Sequence, residues 1–340
     1  MNVQRVDTLK VPTLERKLSF SGLDSWTDFA RAMYGYEIYR YTAADDSLPM
    51  GAVSLVEVKH PVFGHYLVTA PFGSYGGFAI ESQAARDLLL DEVSRLAEKL
   101  MVEYVAVRFD EGESAPPDNW IQQPSYFTYL VDLTPGPEAL LKTFSSDHRN
   151  HVRKSTKKGF TVRFGHLELL DDIYEALTRS MRELGSPYHA KTYLQKMAEL
   201  LGNTLEFVVM YDPQGKIAGG AVLIFQGDTM FNLHANILRD FRSNYAGEFL
   251  YWSAIDHGIQ KGMKTFDLGR SLAGSGNEVF KMKWQPRKKL LAYWHWLAKG
   301  QELPALNQKN PKFQLAIAIW KRLPAFVVRL LGPHLVRGLA

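Results

Sequence analysis

The segment 266–284, FDLGRSLAGSGNEVFKMKW, holds the densest set of residues suited to chemistry. A short strand-like run ends at Leu268, and Gly269, Gly274 and Gly276 then open a loop. Successive exposed N–H groups in such a loop can form an anion-binding nest. Arg270 adds a forked donor matched to phosphate or carboxylate, and Lys281 adds a mobile point charge. Acyl transfer needs donors where an oxyanion develops and a cation near the departing group, and this segment can supply both. The alternative is a surface loop beside a strand. Two better-known motifs are excluded here. Gly269 and Gly274 have Walker-A spacing, but Ser275-Gly276 stands where Lys-Ser/Thr belongs. Gly269-Arg270-Ser271 opens like a nucleophile elbow, yet Ala273 replaces its final glycine. Ser271 is therefore expected to hydrogen-bond within the loop rather than to attack.

The proton acceptor is less determined. Asp267 could serve as a base, orient Arg270 or brace the loop. Histidine is the commonest general base, and His234 sits in a predicted strand near the same centre; its alternative is a hydrogen-bonded strand histidine. Asn244 and Tyr245 precede a predicted helix whose N-terminus could hold an anionic group, or simply be capped. A second constellation is HRNHVRKSTKKG, 148–159. Arg149, Arg153 and Lys157 share a helical face, which could bind RNA or a phosphorylated carrier, or be only a solvated face. His148 and His151 are three apart, but Asp147 is the one carboxylate close by in sequence and the surroundings are basic, so no metal site is expected.

The elements that must position these residues follow from periodicity. In the first half, strand-like runs at 37–43, 51–58 and 65–70 precede the glycine-rich loop PFGSYGGF. A helix at 82–100, a strand at 104–109, a loop at 110–119 and a strand at 126–133 follow. A helix over 137–158, with Pro137 in its first turn and Gly159 as its stop, reads as the hinge between two domains. In the second half, a strand at 160–165 and helices at 168–184 and 191–201 lead to strands at 205–211, 217–225 and 230–235. Asp212-Pro213-Gln214-Gly215 and Gln226-Gly227-Asp228 join these as an antiparallel meander. A helix at 247–262, a strand at 265–268, the glycine loop and a strand at 290–297 complete the series. This is the element order of a GNAT-type acyltransferase domain, and the first half has a similar order. The expected division is 1–159, 160–300 and a helical tail, 301–340. The tail, apolar with interspersed Lys and Arg, is either packed on the core or an interfacial membrane helix.

Composition narrows the classes. The 340 residues suffice for two cores, and 46% hydrophobic with 22% charged residues excludes wholesale disorder. The absence of cysteine removes disulfides, thiolate zinc sites and cysteine nucleophiles. A net charge of +4 suits an anionic partner without requiring one. No signal-like N-terminus and no apolar run of about 18 residues is present, so a cytoplasmic protein is expected.

These constellations, in their order, resemble FemAB-related proteins of the GNAT superfamily, with the nearest look to the branch associated with exopolysaccharide and exosortase systems. The stretches that carry the resemblance are PFGSYGGF, HRNHVRKSTKKGF, RELGSPYH, KIAGGAVLIF, FLYWSAIDHGIQKGMKTFDLGRS, GSGNEVFKMKW and the tail WKRLP…LGPHLVRGL. The resemblance implies an α/β (α+β layered) chain of two tandem GNAT-like domains with mixed, largely antiparallel sheets and an interdomain cleft. It implies an N-acyl- or aminoacyl-transferase acting on an amino group of a saccharide or cell-envelope precursor. The family's Phe-Lys pair matches Phe280-Lys281, which makes Lys281 the expected charge-stabilising residue and Phe280 and Trp284 part of the donor site. Arg149 and Arg153 match its basic linker. No tightly bound cofactor is implied; the donor would be an acyl-CoA, an acyl-carrier protein or an aminoacyl-tRNA. The acceptor would be a small-molecule or lipid-linked saccharide, with a possible peripheral membrane contact through the tail. Two departures bear on the donor: the long helical arm of some peptidoglycan-bridge enzymes is missing, and no coenzyme A pyrophosphate loop precedes the 247–262 helix. Gln285 also follows Trp284 where relatives often have Gly. A non-catalytic scaffold that binds an envelope precursor, and a tRNA-binding module, are the other classes considered.

Overall fold

A computed structural model describes residues 1–9, 11–46, 48–110, 115–303 and 311–340. In chain order the elements are β1 (Asn2–Val6), α1 (Pro12–Glu15), α2 (Asp24–Tyr34), β2 (Glu37–Asp45), β3 (Leu48–His60), β4 (Gly64–Val68), β5 (Phe78–Ile80), α3 (Gln83–Leu100), β6 (Tyr104–Arg108) and β7 (Trp120–Asp132). There follow α4 (Gly136–Thr143), α5 (Ser146–Thr156), β8 (Thr161–Gly165), α6 (Leu170–Leu184), α7 (Lys191–Leu201), β9 (Leu205–Tyr211), β10 (Ile217–Gln226), β11 (Thr229–Ile237), α8 (Ala246–Gln260) and β12 (Thr265–Asp267). The last are β13 (Ser271–Leu272), α9 (Gly276–Met282), β14 (Arg287–Leu297), α10 (Pro311–Arg322) and α11 (Ala325–Val336). The loop expected at 110–119 lies partly outside the described residues.

Most expected elements form, each for a local reason. Ser82 caps α3 by accepting from the Ala85 N–H at 3.2 Å, and Leu89, Leu90, Val93 and Leu96 bury the face the sequence made apolar. α6 buries Ile173, Ala176 and Leu177 and stops where Gly185 turns left-handed. Two expectations fail, and the N-terminal elements went unread. The single helix over 137–158 is two helices, because Phe144 is extended and Ser145 starts afresh as an N-cap, accepting from the His148 N–H at 3.2 Å. The glycine loop after β12 is partly structured: Ser275 caps α9. β1, α1 and α2, at the N-terminus, had no clear periodic signature.

The chain divides into two compact units, and not at Gly159. The first comprises 1–127, 290–305 and 337–340; the second comprises 128–289 and 306–336. The first unit's sheet runs β1-β2-β3-β4-β6-β14, antiparallel except for the parallel β4–β6 pair, with β5 beside β3. PFGSYGGF is a buried structural loop of this unit. The Trp26 indole N–H donates to the Pro71 carbonyl at 2.7 Å, and a Cβ on Gly22 would lie 2.2 Å from the Gly77 nitrogen. The last residues belong here too: Tyr66 donates to the Gly338 carbonyl and Arg108 to that of Ala340, both at 2.9 Å.

The second unit's sheet runs β7-β12-β11-β10-β9-β8, again antiparallel except for one parallel pair, β11–β12. Both units thus show four antiparallel strands, a helix, a strand parallel to the fourth, and a closing antiparallel strand. The closing strands are exchanged. Residues 130–132 of β7 close the second sheet, and residues 293–297 of β14 close the first. That exchange is why no cut of the sequence into contiguous halves reproduces the units.

α10 and α11 lie against α6, and Trp320, Val328 and Val336 are buried. Leu315, Ile319, Phe326 and Leu330 stay more than half exposed, at 67%, 52%, 72% and 66%. No described helix is long and apolar enough to cross a membrane.

Candidate active site

The site lies within the second unit, where its parallel strands part. β12 pairs with β11 from Thr229↔Thr265 to Phe231↔Asp267. β11 then runs on to Ile237 with β10 on its other side, and a bulge around Leu233 shifts its register between Asn232 and His234. Beyond Phe231, β11 therefore has a free ladder direction on the β12 side among the described pairings. β12 meanwhile turns away at Gly269, whose φ of 76° is the left-handed conformation glycine adopts without strain. A Cβ there would sit 3.1 Å from the Asn232 carbonyl oxygen.

Asp267 and Lys281 hold this turn. The Asp267 carboxylate, 1% exposed, accepts from the Gly269 N–H at 2.7 Å and from the Thr128 hydroxyl. Asp267 braces the turn through these two bonds. The Lys281 ammonium, on α9, donates to the carbonyls of Gly269 at 2.7 Å and Arg270 at 3.0 Å. It also lies 5.4 Å from the centre of the Tyr129 ring. Burial lowers its pKa to about 8, with the Asp267 charge pulling it up and Arg270 pushing it further down. Arg270 itself is exposed. Ser271 is buried with no hydrogen-bond partner for its hydroxyl, contrary to the expectation of a bonded loop residue.

α9 is fixed at its start by Glu278. Its carboxylate accepts from the Gly274 N–H at 2.6 Å and the Tyr129 hydroxyl at 3.0 Å, and pairs with Lys288 at 2.5 Å. Lys288 first, then the Gly274 N–H and Tyr129, hold its pKa down to about 2. Gly274 and Gly276 therefore serve the helix start, Gly274 being left-handed at φ 73°. The signal for Glu278 was present: Ser275-Gly-Asn-Glu278 has capping-box spacing, with Glu278 reaching one residue further back than usual. Thr128 and Tyr129 carried no such signal, because β7 belongs to the other half of the sequence.

An aromatic wall backs α9. Tyr251 meets Phe280 edge-on at 5.0 Å and stacks on Trp284 at 5.9 Å; Trp284 is fully buried and also meets Phe144 and His148. The Tyr251 hydroxyl accepts from the Asn232 side-chain amide at 3.1 Å, and burial raises its pKa to about 12. The Asn232 amide oxygen is buried without a partner.

The remaining expected residues are not drawn into this cluster by any described hydrogen bond. The His234 ring lies against Tyr188 and His189; its Nε2 is buried without a partner, and burial lowers its pKa to about 4. Arg149 donates to the carbonyls of Lys142 at 3.1 Å and Phe144 at 2.6 Å and so finishes α4. Arg153 is exposed. Asn244 ends a 3₁₀ turn, and Tyr245, at φ 58°, precedes α8 without a side-chain cap and stacks on His151 at 4.5 Å.

Residues 144–282, from the end of α4 through α9, match the acetyltransferase (GNAT) domain family. Over that stretch the chain is similar to GNAT acyltransferase domains. The GNAT match covers the parted strands, Asp267, the Gly269 turn and Lys281, but not Thr128 and Tyr129. A search of curated proteins finds no match. Among solved structures, FemX is 14% identical with a TM-score of 0.65, covering 93% of this chain and 100% of its own. A tandem GNAT protein from the clavulanic acid biosynthesis pathway is 11% identical, TM-score 0.58, covering 88% and 99%. L-PGS from Bacillus licheniformis is 15% identical, TM-score 0.51, covering 87% and 89%. At such identities the likeness is one of fold, and it extends beyond the GNAT match to nearly the whole chain: a tandem GNAT architecture.

Proposed function

We propose that the protein transfers an acyl or aminoacyl group to an amino group of a saccharide or other cell-envelope precursor. The observation that carries this is the divergence of β11 from β12 beside a turn whose carbonyls are held by a buried lysine. Beyond Phe231 the described β12 ladder stops, and the β11 edge on that side suits an extended amide-bearing donor, which would add to the sheet as a strand does. The acyl carbonyl then lies toward the Gly269–Arg270 turn. The acceptor amine attacks that carbonyl to form the new C–N bond, and the charge of Lys281 with loop N–H groups stabilises the oxyanion that results. The intermediate then collapses with cleavage of the donor's thioester C–S or ester C–O bond, and the carrier leaves as a thiol or hydroxyl while the amine loses its proton. Arg270, exposed at the mouth of the turn, meets a phosphate or carboxylate of donor or acceptor. His234 is neutral at pH 7 and a weak base at a pKa of about 4, so water or the amine's own solvation takes the proton more readily.

Acyl-CoA, acyl-carrier and aminoacyl-tRNA donors all fit this chemistry. Arg153 and Lys157 remain available on the exposed side of α5 for the last of these, whereas Arg149 is committed to α4. Incubation of the protein with cell extract and each donor class, followed by mass spectrometry, is expected to reveal an acceptor heavier by the transferred group. Absence of any mass transfer across all three donors, with saturable binding of an envelope precursor, would leave a non-catalytic scaffold instead.

The exposed Leu315, Ile319, Phe326 and Leu330 near Lys321 and Arg322 support a peripheral membrane contact as part of the same proposal. Co-sedimentation with anionic vesicles is expected, weakening when Phe326 and Leu330 become Ser. Equal sedimentation of this variant would remove the tail from the proposal.

A further inference from the structure

Behind Trp284, away from the turn, the second unit gathers three side chains that the transfer chemistry does not use. His148 and His151 lie three apart on α5, and Glu248 lies in the first turn of α8, which packs on α5. The sequence shows no carboxylate near the two histidines except Asp147; the fold brings Glu248 to them. One donor atom of each of the three lies within 4.8 Å of the others. Both ring nitrogens of His148, which is 2% exposed, are buried without a hydrogen-bond partner. So is Nδ1 of His151, which faces the Glu248 carboxylate at 4.0 Å.

Buried polar atoms in native proteins are normally paired, and a cluster of them left open asks for a missing partner. In a neutral His148 ring one of the two open nitrogens carries the proton and the other offers a lone pair to a ligand. Asp147 lies 3.3 Å from Nε2 of His151, so the ring proton belongs on Nε2 and the Nδ1 lone pair turns toward Glu248. In that tautomer two lone pairs face each other across 4.0 Å, an arrangement that a bound cation or a proton on Nδ1 relieves.

We propose that His148, His151 and Glu248 bind one zinc(II) ion, with Asp147 orienting His151 from behind. Two imidazoles and a carboxylate are a borderline-hard set suited to zinc, and the fourth position falls to water. Tetrahedral zinc with bonds of about 2.0–2.1 Å needs donor atoms about 3.4 Å apart, so the side chains close on the ion by rotation. Lys283, whose ammonium lies 3.4 Å from the Glu248 carboxylate, is the competitor the ion must displace. The ion would tie α5 to the first turn of α8, behind the edge of Trp284 that His148 touches at 4.5 Å.

The test uses the full chain, freed of metal and dialysed against micromolar zinc chloride, with bound zinc counted by elemental mass spectrometry. Cobalt(II) serves as a spectroscopic substitute whose visible bands report tetrahedral nitrogen–oxygen ligation. One equivalent of zinc is expected. Affinity should fall about 10–100-fold in Asp147→Asn, as for other residues that orient a metal-bound histidine. It should fall further in His151→Ala and Glu248→Gln, and rise in Lys283→Met. Asp147 and Lys283 are partly or largely exposed, so these two variants keep the test sound if a change at a buried ligand disturbs folding. Failure of the wild-type chain to hold zinc, or equal binding by wild type, Asp147→Asn and Lys283→Met, overturns the proposal.

Discussion

Lys281→Met is expected to lower the transfer rate by about 100-fold or more while leaving the folded structure in place. The loss follows from removing a preorganised charge in a dry site, where single donors are commonly worth about 10²–10³ in rate. Stability is expected to change little, because methionine matches the length of the lysine stem and a buried ammonium is itself unfavourable. The pH profile makes the assignment specific. With a folded pKa of about 8, Lys281 is charged below that value and loses its proton above it. If the charge is what matters, the rate stays level up to about pH 8 and falls beyond, and the limb is missing in Lys281→Met. If the neutral amine acted as a base, the rate would rise instead. Stability moves the other way. The pKa falls from 10.5 to about 8 on folding, so between those values the unfolded chain binds more protons and the fold gains stability as pH rises. A rate falling while the melting temperature rises, across one pH window, is hard to obtain from any group but this one. An unchanged rate in Lys281→Met would end its assignment.

Asp267→Ala is expected to have the largest effect on stability, about 2–6 kcal/mol, because it leaves the Gly269 N–H and the Thr128 hydroxyl without their shared acceptor, at about 1–3 kcal/mol each. Urea unfolding measures this. Asp267→Asn separates the carboxylate's two effects. The amide oxygen can still accept from Gly269, so most stability returns. The negative charge is gone, however, and it was the influence that raised the Lys281 pKa. The alkaline limb of the rate profile should therefore move below pH 8 in Asp267→Asn. A limb that stays in place would show that Asp267 and Lys281 do not sense one another.

What the sequence allows one to read differs sharply between neighbours and distant pairs. The meander β9–β11 was legible because Gly215 and Gly227 mark its turns and its strands are apolar. α7 was legible to the residue, 191–201. The break at Phe144–Ser145 was not, because helix propensity on both sides outweighs a lone serine until its hydroxyl is seen capping His148. At the site, the Asp267–Gly269–Lys281 grouping was foreseeable from one segment, and even Glu278 left a capping signature. Tyr129 and Thr128 left none, and neither did the approach of Glu248 to His148 and His151. Those encounters are made by strand pairing and helix packing across long stretches of chain, which local periodicity does not encode.

The exchanged strands set an order of events during synthesis. The first sheet is closed by residues 293–297, so a nascent chain that has emerged only as far as β8 has the interior strands of its first unit but not the closing one. Until then β6 presents an open edge, the kind of surface that pairs with other chains. The second sheet, by contrast, has its closing strand ready, in β7, before its own core is made. The C-terminal half can therefore complete itself first, and the N-terminal half waits for it. That reverses the usual vectorial order, and it makes the emergence of β14, rather than of the first half, the point at which the β6 edge is covered.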